Sequence, residues 1–215
     1  MQFADREDGG RRLATALAAY RGDANAIVLG LPRGGVVTAA AIAEALELPF
    51  DVLVVRKLGT PGQEELAMGA IGPGGIRVLN EDVVGALRIS DSQIEAETRH
   101  ETEELERREA LFRGGQAPLQ LEGKIVILVD DGLATGSTMA AAVSVVRRHH
   151  PAKIVLAVPV APIDTVERFE PMVDELLCLE TPSPFYAVGS WYSDFTQVED
   201  DEVVRLLERA RAAAG

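Results

Sequence analysis

Val126-Ile-Leu-Val-Asp-Asp-Gly-Leu-Ala-Thr-Gly-Ser-Thr138 runs from an apolar strand through two adjacent carboxylates into a small-residue turn that opens a helix. The run 125–129 is short and β-branched, as a strand buried on both faces should be. Asp130 and Asp131 then fall at its C-terminal end, where open α/β sheets place ligands. Thr135, Gly136, Ser137 and Thr138 follow at the helix start, where backbone N–H groups lack intrahelical partners and the helix dipole favours an anion. Gly136 lets the backbone approach a phosphate closely. Two carboxylates do not bind phosphate, so they must serve another part of the ligand. Vicinal sugar hydroxyls fit, with Mg²⁺ nearby. A plain capped turn would need neither the acid pair nor three hydroxyls around a glycine. A P-loop is excluded because no Lys precedes the Ser/Thr, and a dinucleotide fold because no strand is followed by GxGxxG.

At these residues the chain resembles the type I phosphoribosyltransferase family, whose signature is an apolar strand, two acids, a short spacer and Thr-Gly-x-Thr. The resemblance implies binding of phosphoribosyl pyrophosphate (PRPP) with Mg²⁺ and transfer of ribose 5-phosphate to a nitrogenous base. It assigns the ribose hydroxyls to Asp130 and Asp131, and the 5-phosphate to Ala134, Thr135, Gly136, Ser137 and Thr138. It implies no direct protein cage for the metal. Mg²⁺ would be bound through PRPP, with Asp130 as the side chain in reach.

PRPP has a second anionic end. Leu31-Pro-Arg-Gly-Gly35 suits it, because Gly34 and Gly35 expose N–H groups at a helix start and Arg33 adds a forked cation. The segment resembles the family's pyrophosphate loop, which in several relatives carries a non-proline cis peptide, here between Pro32 and Arg33. Arg56-Lys57-x-Gly59 is similar to the start of the family's mobile catalytic loop, especially in adenine-type members. Gly59, Pro61 and Gly62 suit a lid. Lys57 or Arg56 would neutralise the departing pyrophosphate, and with Asp131 they are the catalytic candidates. Members acting on 6-oxopurines carry an Asp where this chain has Ala134, which implies that hypoxanthine and guanine are poor acceptors. The LPRGG and RKLG segments are shared with bacterial phosphoribosyltransferase-like proteins.

The 215 residues are 47% hydrophobic, enough for a sizeable core. No apolar run reaches the ~18 residues needed to span a bilayer. The start MQFADREDGGRR has no apolar signal-peptide core, so a cytoplasmic protein is expected. Cys178 is the single cysteine, which excludes an internal disulfide framework, and its apolar neighbours suggest an inert core thiol. Lys and Arg total 21 against 34 Asp and Glu, a net charge of −13. Such a surface disfavours nucleic acid. The expected partners are PRPP and a small base, with no membrane; a homodimer is compatible.

Along the chain, helix patterns are expected at 11–20, 36–46, 90–112, 137–148, 163–169 and 200–213, and strands at 26–29, 51–55, 124–129, 153–159 and 173–179. Residues 56–63 read as a loop, and 66–71 with 75–79 as a hairpin about Gly72-Pro-Gly-Gly75. The alternation implies an α/β protein with a doubly wound, mostly parallel sheet. One domain is expected over 1–215: core about 24–180, a hairpin/helix insertion about 60–115, and a small C-terminal hood about 181–199. The stretch 181–195 holds five of the ten aromatics. It is either a stacking surface, with Tyr186 or Trp191 against the base, or a small satellite core. Two other function classes stay open: a PRPP-sensing protein without turnover, and a PRPP or nucleotide hydrolase.

Overall fold

The computed structural model describes residues 2–214. Five strands, β1 (Ala26–Gly30), β2 (Phe50–Val52), β6 (Ile125–Val129), β7 (Lys153–Val160) and β8 (Glu175–Glu180), form a sheet in the order β2-β1-β6-β7-β8. Every pairing in it is parallel. Helices α1 (Arg6–Ala16) and α2 (Gly34–Leu46) lie on one face, α5 (Ser137–Arg147) and α6 (Ile163–Phe169) on the other. The strand sequences dictate this. In β6, Val126 and Leu128 pack with Met139, Val143 and Phe169, while Ile127 and Val129 pack with Leu13, Leu17 and Ile42. Successive side chains point to opposite faces, so a strand apolar at every position requires a helix layer on both. The sheet is thus the doubly wound α/β arrangement expected.

A second, antiparallel sheet holds β3 (Arg56–Thr60), β4 (Gln63–Gly72) and β5 (Ile76–Leu79). It is followed by α3 (Glu81–Leu87) and the 23-residue α4 (Asp91–Arg113), which opens on a capping box between Ser90 and Gln93. Arg113 anchors the far end of α4: its Nη2 donates to Asp51 Oδ2 at 3.0 Å and to the Ala117 carbonyl at 2.7 Å. The last helix, α7 (Asp200–Ala214), packs Val203 and Leu207 into a cluster with Met68, Ile94 and Phe112.

Several expectations need correction. The stretch 56–63 is a hairpin, not an open loop. Leu58 and Thr60 turn inward at alternate positions, and Pro61-Gly62, with Gly62 at φ 77°, makes the tight turn. The first helix starts at Arg6 rather than at 11, because Asp5 caps it by accepting from Asp8 N–H at 2.7 Å. Gly9 and Gly10 do not break it. A Cβ on Gly10 would lie 2.5 Å from the Thr38 carbonyl oxygen, so the glycine allows α1 and α2 to cross closely. β2 ends at Val52, after which residues 53–55 stay buried outside the sheet. Helix α3, capped by Asn80, has no counterpart among the expected elements.

Candidate active site

The strand order reverses between β1 and β6. β2 lies to one side of β1, and β7 and β8 lie beyond β6. Such a switch point leaves a crevice at the strands' C-terminal ends. Register makes the two ends level, since Gly30 pairs with Val129 and Leu31 N–H donates to the Val129 carbonyl at 2.9 Å. The loop after β1 therefore lies against the acid pair after β6. A Cβ on Gly35 would come within 2.8 Å of Asp130 Cα, and one on Gly34 would overlap Asp131 Oδ2. Only glycines permit this approach. The Pro32–Arg33 peptide is cis.

Asp130 and Asp131 share a largely dry site. Burial pushes the Asp130 carboxyl well above the usual carboxylate range, and the neighbouring Asp131 charge pushes it further. Burial also raises Asp131, but Arg6 opposes this by donating Nε–H to Asp131 Oδ2 at 2.7 Å. Arg6 is itself fixed: a second nitrogen donates to the Thr196 carbonyl at 2.8 Å, and the guanidinium lies 3.8 Å from the Phe195 ring centroid. Tyr192 Oη donates to the Asp131 carbonyl at 2.5 Å.

The turn between β6 and α5 is held from outside. Thr165 Oγ1 donates to the Ala134 carbonyl at 2.9 Å, and Arg168 donates to that of Thr135. Gly136 caps α5 at φ 66°, and a Cβ there would meet Phe169 at 2.5 Å. Glycine is required on both counts. The turn is thus fixed with the first amides of α5 free to receive an anion. Lys57 Nζ donates to Ser137 Oγ at 3.2 Å, which brings the β3 cation to the same turn.

The other predicted residues lie farther out. Arg56 donates to Glu101 of α4 at 2.5 Å, and Arg33 stands 3.8 Å from both Glu199 and Asp200. Tyr186 is 84% exposed, and Trp191 packs around Phe3, Val160 and Tyr192 in a small separate cluster. A cleft of 720 Å³ runs from Pro32 and Thr138 past Lys57 to α4; neither Tyr186 nor Trp191 lines it. Most of the aromatic stretch thus forms a satellite core against the N-terminal segment. Arg6 was not among the expected site residues, and Tyr192 and Phe195 were expected only as members of the aromatic stretch. The partners of Arg6 lie 125 and 190 residues away, and no local pattern encodes such pairings.

Fold and crevice together define an α/β protein with a crevice at a topological switch point. The phosphoribosyl transferase domain model matches residues 2–190, and the chain belongs to that family. Two Mycobacterium tuberculosis proteins, of strains CDC 1551 / Oshkosh and H37Rv, provisionally named as phosphoribosyl transferases, are each 52% identical over 208 residues, 97% of this chain. The chain spans about half the length of these curated relatives, 47% of each. The crystal structure of TT1426 from Thermus thermophilus is similar over 97% of this chain and 99% of that one, at 42% identity and a TM-score of 0.89.

Proposed function

We propose that this chain transfers ribose 5-phosphate from PRPP to a nitrogenous base and releases pyrophosphate. One observation carries the reading: three separate segments meet at the switch point, each suited to a different part of PRPP. The turn 134–138 offers backbone N–H groups at the start of α5 for the 5-phosphate. Asp130 and Asp131 accept from the ribose 2- and 3-hydroxyls, a task for carboxylates that are dry and close together. Gly34 and Gly35 open α2 beside them, with Arg33, for the pyrophosphate.

In the reaction the bond from C1 to the pyrophosphate oxygen breaks and a bond from C1 to a base nitrogen forms. Positive charge grows on the ribose and negative charge on the leaving group. The carboxylates of Asp130 and Asp131 would stabilise the first; Lys57, on leaving Ser137, and Arg33, on leaving Glu199 and Asp200, would stabilise the second. The donor set suits Mg²⁺, a hard ion that takes oxygen ligands. Asp130 would touch it and PRPP oxygens would complete its shell, since Asp131 Oδ2 is engaged by Arg6. Bound there, the ion would neutralise charge on the pyrophosphate. Arg56 contributes after release from Glu101, which suits a hairpin that shifts when the ligand enters.

The test is pyrophosphate release from PRPP and Mg²⁺ with adenine, hypoxanthine, guanine, uracil or orotate, beside a no-base control. Release dependent on a base supports transfer. Release in the control alone identifies a hydrolase, and PRPP binding without release identifies a sensor. Ala134 places no carboxylate where 6-oxopurine N7 would need one, so hypoxanthine and guanine should be poor.

A further inference from the structure

The cleft beneath α4 contains groups that the phosphate and ribose contacts leave unused. Its wall includes Thr138 of the phosphate turn and Pro32 of the opposing loop, so it opens between the two anionic ends of the proposed ligand. The sugar carbon that changes partners must lie between those ends. Leu31, Leu53 and Val55 back the cleft from the buried core, at 1%, 0% and 8% exposed, and 720 Å³ is ample for a single heterocycle.

The cleft is lined by three cations, Arg56, Lys57 and Arg108, and three carboxylates, Glu64, Glu97 and Glu101. Arg56 is held by Glu101 at 2.5 Å, Arg108 by Glu104 at 2.7 Å, and Lys57 reaches Ser137. Glu97 and Glu64 line the same cleft, and the side chain of neither makes an ion pair or hydrogen bond among the described residues. The Glu97 carboxylate lies over β3, with Oε1 3.6 Å from the position of a Cβ on Gly59. The next residue, Thr60, also lines the cleft; it is 3% exposed, and its Oγ1 is buried without a partner. Buried hydroxyls without partners are rare and call for a reason. Register shifts at Leu58/Gly59 and Gly59/Thr60 mark a bulge here, a device that re-aims side chains beside binding sites.

We infer that this cleft is the acceptor subsite, and that Glu97 and Thr60 select a heterocycle with an amino group in place of a 6-oxo group, rather than a 6-oxopurine or an anionic base. The inference rests on the phosphoribosyl-transfer reading and deepens it. The base lies between β3 and α4. Its amino group donates to Glu97, and rotation of the Thr60 side chain turns the hydroxyl to a ring nitrogen. An anionic base such as orotate meets the Glu97 carboxylate where an amino base finds an acceptor, and is disfavoured there.

Calorimetric titration of the full chain with adenine, 2,6-diaminopurine, hypoxanthine and orotate, with and without ribose 5-phosphate, tests this. The two amino-bearing bases should bind roughly tenfold or more tightly than the others, and Glu97→Gln should reduce their affinity by about that factor, the size expected of a hydrogen bond to a charged group. Thr60→Val is nearly isosteric and removes an unsatisfied hydroxyl, so it should weaken base binding without lowering the melting temperature. A packing role alone would not separate those two readouts. Absence of base binding under both conditions, equal or tighter binding of orotate, or an unchanged preference in Glu97→Gln overturns the inference. PRPP binding measured in parallel reports separately on the transfer reading: chain that binds amino bases but not PRPP contradicts transfer and leaves the cleft assignment standing.

Discussion

Arg6 Nε donates to Asp131 Oδ2 at 2.7 Å and joins the first helix to the acid pair at the centre of the crevice. Both side chains are mostly buried, at 11% and 14% exposed. Removing one partner of a buried pair leaves the other charge dry and uncompensated. Arg6→Gln should therefore cost about 2–3 kcal/mol in stability, measured by denaturant unfolding. Combining it with Asp131→Asn should cost less than the sum of the two single changes, because the pair is lost only once.

Asp130 behaves in the opposite way. Burial and the Asp131 charge disfavour its ionised form, so the carboxylate costs stability at neutral pH. Its raised folded pKa stabilises the fold at acid pH, and that contribution is lost as pH rises through the folded value. Asp130→Asn keeps the oxygen that accepts from Asp131 N–H at 2.9 Å and removes the charge. The substitution should raise stability by about 1 kcal/mol while weakening PRPP binding. Thermal unfolding and a PRPP titration on one preparation check both halves.

Gly34 should be intolerant of any side chain. A Cβ would overlap Asp131 Oδ2 and come within 2.8 Å of Arg6 Nε, and overpacking of this kind costs about 1–3 kcal/mol. Gly85 of α3 has nothing within 4 Å of its Cβ position, so alanine there should stabilise by about 0.5–1 kcal/mol. Paired melts of the two alanine variants give the comparison.

The sheet and the phosphate turn were readable because their signals are local. A β-branched run with an acid pair at its end specifies a buried strand and its C-terminal edge without reference to any partner. The hairpin 56–72 was obscured by composition: Gly59, Pro61 and Gly62 suggested a loop, while the inward alternation of Leu58 and Thr60 carried the true signal. The Leu/Ala spacing placed the first helix at 11–20, and nothing in it showed that the helix reaches back through Gly9 and Gly10, where the small residues permit a close helix crossing. Arg6 and Tyr192 converge on Asp131, with Phe195 against the Arg6 guanidinium, only after distant parts of the chain fold together. Five clustered aromatics could not reveal whether they faced a ligand or one another.

Cys178 should be inert in the folded protein. Burial pushes its thiol up to about 11, and Sγ donates to the Glu180 carbonyl at 3.3 Å. The thiolate is the reactive form, and near pH 8 almost none is present at that pKa. Iodoacetamide should label native protein very slowly and unfolded protein quickly. Fast native labelling would show that β8 opens readily.

The central claim is that the segments converging at the switch point bind PRPP. The most direct measurement is the melting temperature of the wild-type chain and of the Asp130→Asn/Asp131→Asn double variant, with PRPP and Mg²⁺ titrated into each. A ligand at ~100 times its dissociation constant stabilises by about 2.7 kcal/mol, which shifts a domain of this size by several degrees. The wild-type chain should show that shift at millimolar PRPP, and the folded double variant should show little or none. No shift in the wild type, or an equal shift in both, would contradict the account.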